Sequence, residues 1–479
     1  MNWRGLPAIL GILAAAALFG ATAALKPTWF VAAAAVSVIC VLPMLRIARK
    51  LSGPQLVAAL LIAIQLSYVM RHTWFDVDYI PAFKYIRFPL LLILPAVALL
   101  GGLPRLLRSP VRRPTVIAMI YTSWIIVAGQ WGLDPSRTLF YGAWLFILIV
   151  NVAMAVALSD DPRELWGHFL LGLSWLGLLS CVACIIAIST GTEIAHSDRW
   201  ISGVQRSAYR GVFFNANVMG AQGLVTLAAP LAYRTLFPER KQLWMPGILL
   251  VSGVVVVASA SRGCFLGYSA ALAFYLLGGQ QVPKLSQRSL MIAALGLLAL
   301  LAASTTDVAS SALDRLAGTA SSVETGDEGR LHIWKTYIDH TLEHPIVGAG
   351  FINSALQGDY VAMRSAIRAH SPHSVFIQYL VGPGIPAGLL FGWLLLGVAR
   401  RLRAWREEPL RASVLMFWTM LSPLFFSSTV TGPRDWGTLL MWLPLMVVGS
   451  LPVSPGGDQA PSSPEGRPEA PNHPSQDAP

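Results

Sequence analysis

Apolar runs of roughly 16–25 residues recur along almost the whole chain, and each is long enough, or nearly so, to cross about 30 Å of hydrocarbon. Examples lie at Leu139–Leu158, Leu165–Thr190, Phe214–Tyr233, Leu243–Ala260, Cys264–Gly279 and Val375–Val398. Lipid offers no partner to a bare peptide group, so a chain built this way is confined to helices that satisfy their own backbone. The sequence therefore predicts an all-α, polytopic membrane protein of about 12–14 transmembrane helices, several of the runs being short enough to merge or re-enter.

Composition agrees with this reading. The chain is 55% hydrophobic and only 12% charged, where soluble domains carry about twice that charge. Its four cysteines, Cys40, Cys181, Cys184 and Cys264, all lie in apolar runs; Cys181 and Cys184 have CxxC spacing but no nearby His or Asp, so they read as small core residues. Net charge is +11 although the tail beyond Leu451 is acidic. A basic membrane protein suits anionic lipids or a polyanionic substrate such as a diphosphate.

Short loops carrying Arg46, Arg49 and Lys50, then Arg105, Arg108, Arg112 and Arg113, then Arg234, Arg240 and Lys241, then Lys284 and Arg288, and finally Arg400, Arg401, Arg403, Arg406 and Arg411 read as cytoplasmic. They alternate with the proposed spans and put both termini in the cytoplasm. Residues 1–451 form the membrane domain on this reading, and 452–479, rich in Pro, Ser and Gly, form a disordered cytoplasmic tail. Two long loops fall on the opposite face, one near residues 191–212 and one at 305–372. The second is partly helical: Leu331, Trp334, Ile338 and Leu342 recur at helical spacing before Pro345, and a short helix is expected at Val361–His370.

Chemistry is sought on that face. The chain returns to the membrane at His373, a titratable imidazole at an expected helix start and a candidate general base; His370 competes with it, and capping or solvation of the interface is the plainer alternative for both. Arginines here run against the charge rule. Arg206 and Arg210 precede one span, Arg262 lies at the outer end of two, and Arg330, Arg364 and Arg368 lie in the large loop. A cluster of guanidinium forks suits a diphosphate; snorkelling or pairing with carboxylates is the alternative. Asp76 and Asp78 form a DxD pair, a weak metal signal in an outer loop. His340 and His344 are four apart, but without an HExxH context no metal is expected. There is no Gly-rich phosphate loop and no soluble domain to hold a nucleotide, which disfavours ATP-driven chemistry.

Three blocks resemble the O-antigen ligase/polymerase family of bacterial envelope proteins. They are Arg210-Gly211-Val212-Phe213-Phe214-Asn215-Ala216-Asn217, then Ser261-Arg262-Gly263-Cys264-Phe265-Leu266-Gly267, then Arg330-Leu331-His332-Ile333-Trp334 continuing through His344-Pro345-Ile346-Val347-Gly348-Ala349-Gly350 to His373. The ligase branch is marked by His, then Asn, Ser or Gln, then nine residues, then Gly; His373, Ser374 and Gly384 fit it. Its next usual Gly, Thr or Tyr falls at Ala387, with Gly388 following. The resemblance implies metal-independent, inverting glycan transfer in the inner membrane, with the site on the periplasmic face and no cofactor. The donor would be a glycan on undecaprenyl diphosphate and the acceptor a lipid A-core sugar hydroxyl; membrane lipids surround the protein, and no nucleic acid takes part. His373 would be the base, and Arg210 and Arg262, with Arg206 beside them, would hold the diphosphate. Arg330, Arg364, Arg368 and His370 are secondary candidates.

Competing readings are a polysaccharide polymerase using the same donor, a protein O-oligosaccharyltransferase, and a transporter. The transporter requires acidic residues within spans, and the charges gather instead at one membrane face.

Overall fold

The computed structural model describes residues 52–71, 91–96, 102–132, 135–159, 161–191, 196–201, 204–213, 215–240, 244–259, 261–277, 334–351, 374–405, 408–426 and 437–451. These residues are almost wholly helical. The helices are α1 (Gly53–Arg71), α2 (Leu103–Arg108), α3 (Arg112–Ala128), α4 (Pro135–Leu158), α5 (Pro162–Ser189), α6 (Ala216–Leu236), α7 (Met245–Ala258), α8 (Arg262–Leu277), α9 (Ile385–Ala404), α10 (Pro409–Leu421) and α11 (Gly437–Gly449). A further helical stretch at 334–343 is the loop helix. Among the described residues, three segments are long and apolar enough to cross a membrane: Thr138–Leu158, Pro162–Ser189 and Ile385–Ala404. The expected 12–14 spans extend over regions outside the described residues, as do the tail from 452 and the greater part of the 305–372 loop.

One element departs from the all-helical expectation. The shorter outer loop forms an antiparallel hairpin, β1 (His196–Ile201) with β2 (Val204–Tyr209), in which Arg199 pairs with Arg206.

Local sequence sets the helix ends. Asp161 caps α5, its carboxylate accepting from the Arg163 N–H at 2.8 Å, with Pro162 at the first position and Glu164 in the first turn. At the far end the Thr190 hydroxyl donates to the Ile186 carbonyl at 2.9 Å. Asn215 caps α6 by accepting from Asn217 N–H at 2.9 Å. Helices α6 and α11 are buried on all sides, as expected of the centre of a bundle. The outer helices turn apolar side chains outward: Leu179 is 67% exposed and Leu389 is 69% exposed. In water such faces would be a liability, and in hydrocarbon they meet their own solvent.

The bundle has two distinct ends. Helices α4 and α5 are both membrane-length and are joined by residues 159–161 alone, so α4 starts at the end where α5 finishes. At the linker end, the Arg163 guanidinium donates to the Leu236 carbonyl at the close of α6 (2.9 Å), and Ser413 near the start of α10 donates to Ala232 (2.7 Å). The short link from α9 to α10 brings the end of α9 here, where Arg401 donates to Leu451 at 2.9 Å, just past α11. Gly449 meets Pro114 at the start of α3. Arg112, Arg113, Arg163, Arg234, Arg240, Arg400, Arg401 and Arg403 therefore share one end, which is the alternation that the charges predict. Two of them are tied down on an aromatic ring, Arg240 at 4.3 Å and Arg163 at 5.2 Å from the Phe237 centroid.

Candidate active site

The opposite end holds what the sequence singled out. The turn before α6 passes under α5: a Cβ on Gly211 would lie 2.6 Å from the Cys184 sulfur, and Phe213 N–H donates to the Arg210 carbonyl at 2.9 Å. The first turns of α6 then pack on the α7–α8 junction. A Cβ on Gly220 would press on Ser259 Oγ and come within 3.0 Å of Ser261 Cβ. Ser261 is buried, and its N–H donates to Ser259 Oγ at 3.2 Å. The first two blocks are thus neighbours. Two helices begin there, α6 just after Arg210 and α8 at Arg262. The α6 start is capped by Asn215, and each start carries the positive end of a helix dipole, which favours an anion. Arg210 is half-buried. Cys181, Cys184 and Cys264 are free and buried, as core residues should be.

The described part of the third block, residues 344–350, lies at the same end of the bundle. The Ala349–Gly350 turn sits beside the start of α4, where a Cβ on Gly350 would lie 3.2 Å from Thr138 Oγ1. The loop helix docks through Thr341, whose hydroxyl donates to the Val381 carbonyl at 3.2 Å. Backbone bonds then lace the following turn to the start of α9: Ile385 N–H to Pro345 O at 2.8 Å, and Gly350 N–H to Gly382 O at 2.9 Å.

The face of this helix corrects the sequence reading. Its buried residues are Tyr337 and Thr341, whereas Ile338 (41%) and Leu342 (67%) of the expected apolar stripe are exposed. The Thr341 hydroxyl meets the backbone at Val381, and Tyr337 is buried one turn earlier on the same face, while Ile338 and Leu342 face outward. Burial raises the Tyr337 phenol above its ordinary value. His340 is lowered, by burial first and by neighbouring His344 second, with Glu343 opposing.

The expected span Val375–Val398 is also revised. It is a short turn ending in a π segment, Ile377–Val381, followed by a break at Gly382-Pro383-Gly384 and then α9. Gly384 has φ 85° and ψ 169°, a conformation open essentially to glycine alone, and a Cβ there would strike the Ile346 carbonyl. The glycine eleven residues after His373 is therefore the point where the loop backbone crosses the helix start. At the departing position Ala387 is buried, while Gly388 is the residue tucked under the Leu380 carbonyl. Ser374 is buried, and its Oγ accepts from Ile377 N–H at 3.4 Å. The π segment is anchored by rings: the Tyr121 hydroxyl donates to the Tyr379 carbonyl at 3.0 Å, and Tyr379 meets Phe351 edge-on at 5.1 Å and Phe391 at 5.3 Å. Gln378 is fully buried, and neither of its amide atoms has a hydrogen-bond partner among the described residues.

His373, His370, Arg330, Arg364 and Arg368 lie outside the described residues, as do Asp76 and Asp78. Arg206 falls on β2 and Arg262 opens α8. The sequence reading passed over Arg199, which the hairpin register sets opposite Arg206. Only a strand assignment for the loop would have revealed that pairing. Gln378 was likewise missed, since a lone Gln in an apolar run carries no spacing signal.

Residues 247–392 match the family model described as Wzy_C, O-Antigen ligase. The match supports the O-antigen ligase family for this segment. Members of the family are membrane glycosyltransferase-like enzymes, whose partners in general are lipid-linked glycans and the lipid A core. The matched segment contains the second and third blocks, His373 and Gly384, and begins after Arg210. No curated protein matches the chain.

Proposed function

We propose that this protein is an O-antigen ligase that moves a glycan from undecaprenyl diphosphate to a sugar hydroxyl of the lipid A core. The observation that supports the reading is that the first two blocks and the described part of the third, residues 344–350, lie at the bundle end opposite the basic one, where one helix starts shortly after Arg210 and another at Arg262. On the charge rule the basic end is cytoplasmic, so this end is periplasmic.

In the proposed reaction the acceptor hydroxyl oxygen attacks the anomeric carbon as the bond from that carbon to the diphosphate oxygen breaks. His373 takes the hydroxyl proton, and undecaprenyl diphosphate leaves with the bonding electrons. Arg210 and Arg262, aided by the helix starts, neutralise the charge that grows on the diphosphate. Arg206, and Arg199 opposite it, add positive charge from the hairpin. One in-line displacement inverts the anomeric centre. The lipid diphosphate is already an activated leaving group, so neither nucleotide nor metal is required. His373 must be neutral to act.

The test is transfer from lipid-linked donor to core acceptor by purified protein, with chelator present and no nucleotide. His373→Ala should lose about 100-fold or more while still binding donor, the usual weight of a general base. His370→Ala should retain measurable activity. Wild-type turnover in His373→Ala removes it as the base.

The Ala387 departure from the ligase pattern favours one second reading, a polymerase with the same donor. Glycolipids from a deletion strain separate the two. Loss of all long chains with accumulation of lipid-linked polymer indicates a ligase, and a ladder cut to single repeats indicates a polymerase.

A further inference from the structure

We infer that His340, Glu343 and His344 form a binding site for a divalent transition-metal ion, zinc above others, on the loop helix. The inference stands apart from the transfer reading and does not depend on it. Positions i, i+3 and i+4 share one face of a helix. Here the ligand atoms of all three side chains lie within 4.8 Å of one another, and the two imidazole rings are 4.7 Å apart, centroid to centroid. Two imidazoles and a carboxylate form a zinc donor set that leaves a fourth position for water. Tetrahedral zinc with bonds near 2.0–2.1 Å holds its ligands about 3.4 Å apart, so the trio needs to close by only about 1.4 Å. Glu343 and His344 are exposed and free to make that rotation, while His340 is half-buried.

The backbone beneath them is fixed. His344 N–H donates to His340 O at 3.0 Å, and Gly348 N–H donates to His344 O at 2.7 Å. The order His-x-x-Glu-His is the reverse of HExxH, which is why the absence of HExxH from the sequence predicted no metal. In both orders the histidines stand four apart on one helix face with the acid next to one of them; here the carboxylate lies within 4.8 Å of both imidazoles. Among divalent ions nitrogen-rich sites prefer the later transition metals, so calcium and magnesium are poor occupants. The site ends one residue before Pro345, whose carbonyl accepts from Ile385. A bound ion would staple the helical turn that joins the loop to the start of α9.

The test uses full-length protein in detergent, stripped with chelator, exchanged into chelator-free buffer and titrated with zinc chloride by calorimetry. Wild type should bind one equivalent with micromolar or tighter affinity. His340→Ala/His344→Ala should weaken this at least tenfold, and Glu343→Gln should weaken it by a smaller factor. Cobalt(II) added to stripped wild type should give the visible absorption of a low-coordinate site, and the double variant should not. Circular dichroism confirms that the variants fold. Binding unchanged in the double variant, or no saturable binding in wild type, overturns the assignment.

Discussion

Arg262 is the first residue of α8, and Arg210 lies in the turn before the α6 cap Asn215. A planar guanidinium can engage two diphosphate oxygens at once, whereas an ammonium offers a point charge. Arg210→Lys and Arg262→Lys are therefore expected to reduce transfer about tenfold or more with normal protein level and membrane insertion, a split read by activity per quantity of purified protein. Full activity in both would reduce these residues to membrane anchors. Gln378 poses a different question. A buried amide without partners costs about 1–3 kcal/mol, so Gln378→Leu should raise the thermal midpoint of the detergent-solubilised protein. A lower midpoint would show that the amide has a partner in the folded protein.

Elements meet through backbone as much as through side chains here. The loop helix reaches α9 by way of Gly348 and Gly384, where backbone lies on backbone with no room for a Cβ. Gly384→Ala should destabilise by about 1–3 kcal/mol from conformation alone, with the clash on Ile346 adding to it. Gly392 is the control: it lies inside α9, and a Cβ there meets nothing within 4 Å. Gly392→Ala should be neutral or stabilising by about 0.5–1 kcal/mol. Equal midpoints for the two variants, measured by thermal unfolding in one detergent, would mean that the crossing at Gly384 is not a tight one. The same elements show where periodicity misleads. Leu331, Trp334, Ile338 and Leu342 correctly announce a helix, yet Tyr337 and Thr341 form its buried face. Spacing reports that a stripe exists; the shape of the partner decides which stripe is used.

For the whole molecule the proposed reading sets the basic end and the block end on opposite sides of the membrane. A periplasm-dependent reporter fused after Glu324 should be active, and one fused after Arg403 should be silent. The reverse result would invert the protein and move the candidate site to the cytoplasm. What the chain alone determined is the class of fold, most helix limits, the alternation of charge and the three blocks. These follow from local physics: the length needed to cross hydrocarbon, caps such as Asp161 and Asn215, and the cost of arginine in lipid. The tertiary structure alone decided that Gly220 seats α6 on Ser259 and Ser261, that the loop turn lies beside Thr138, and that the span after His373 breaks at Gly384. Each of these is a contact between segments far apart in the chain. Their partners are backbone carbonyls and small side chains, groups that almost every position possesses, so no pattern of residue types could have announced them.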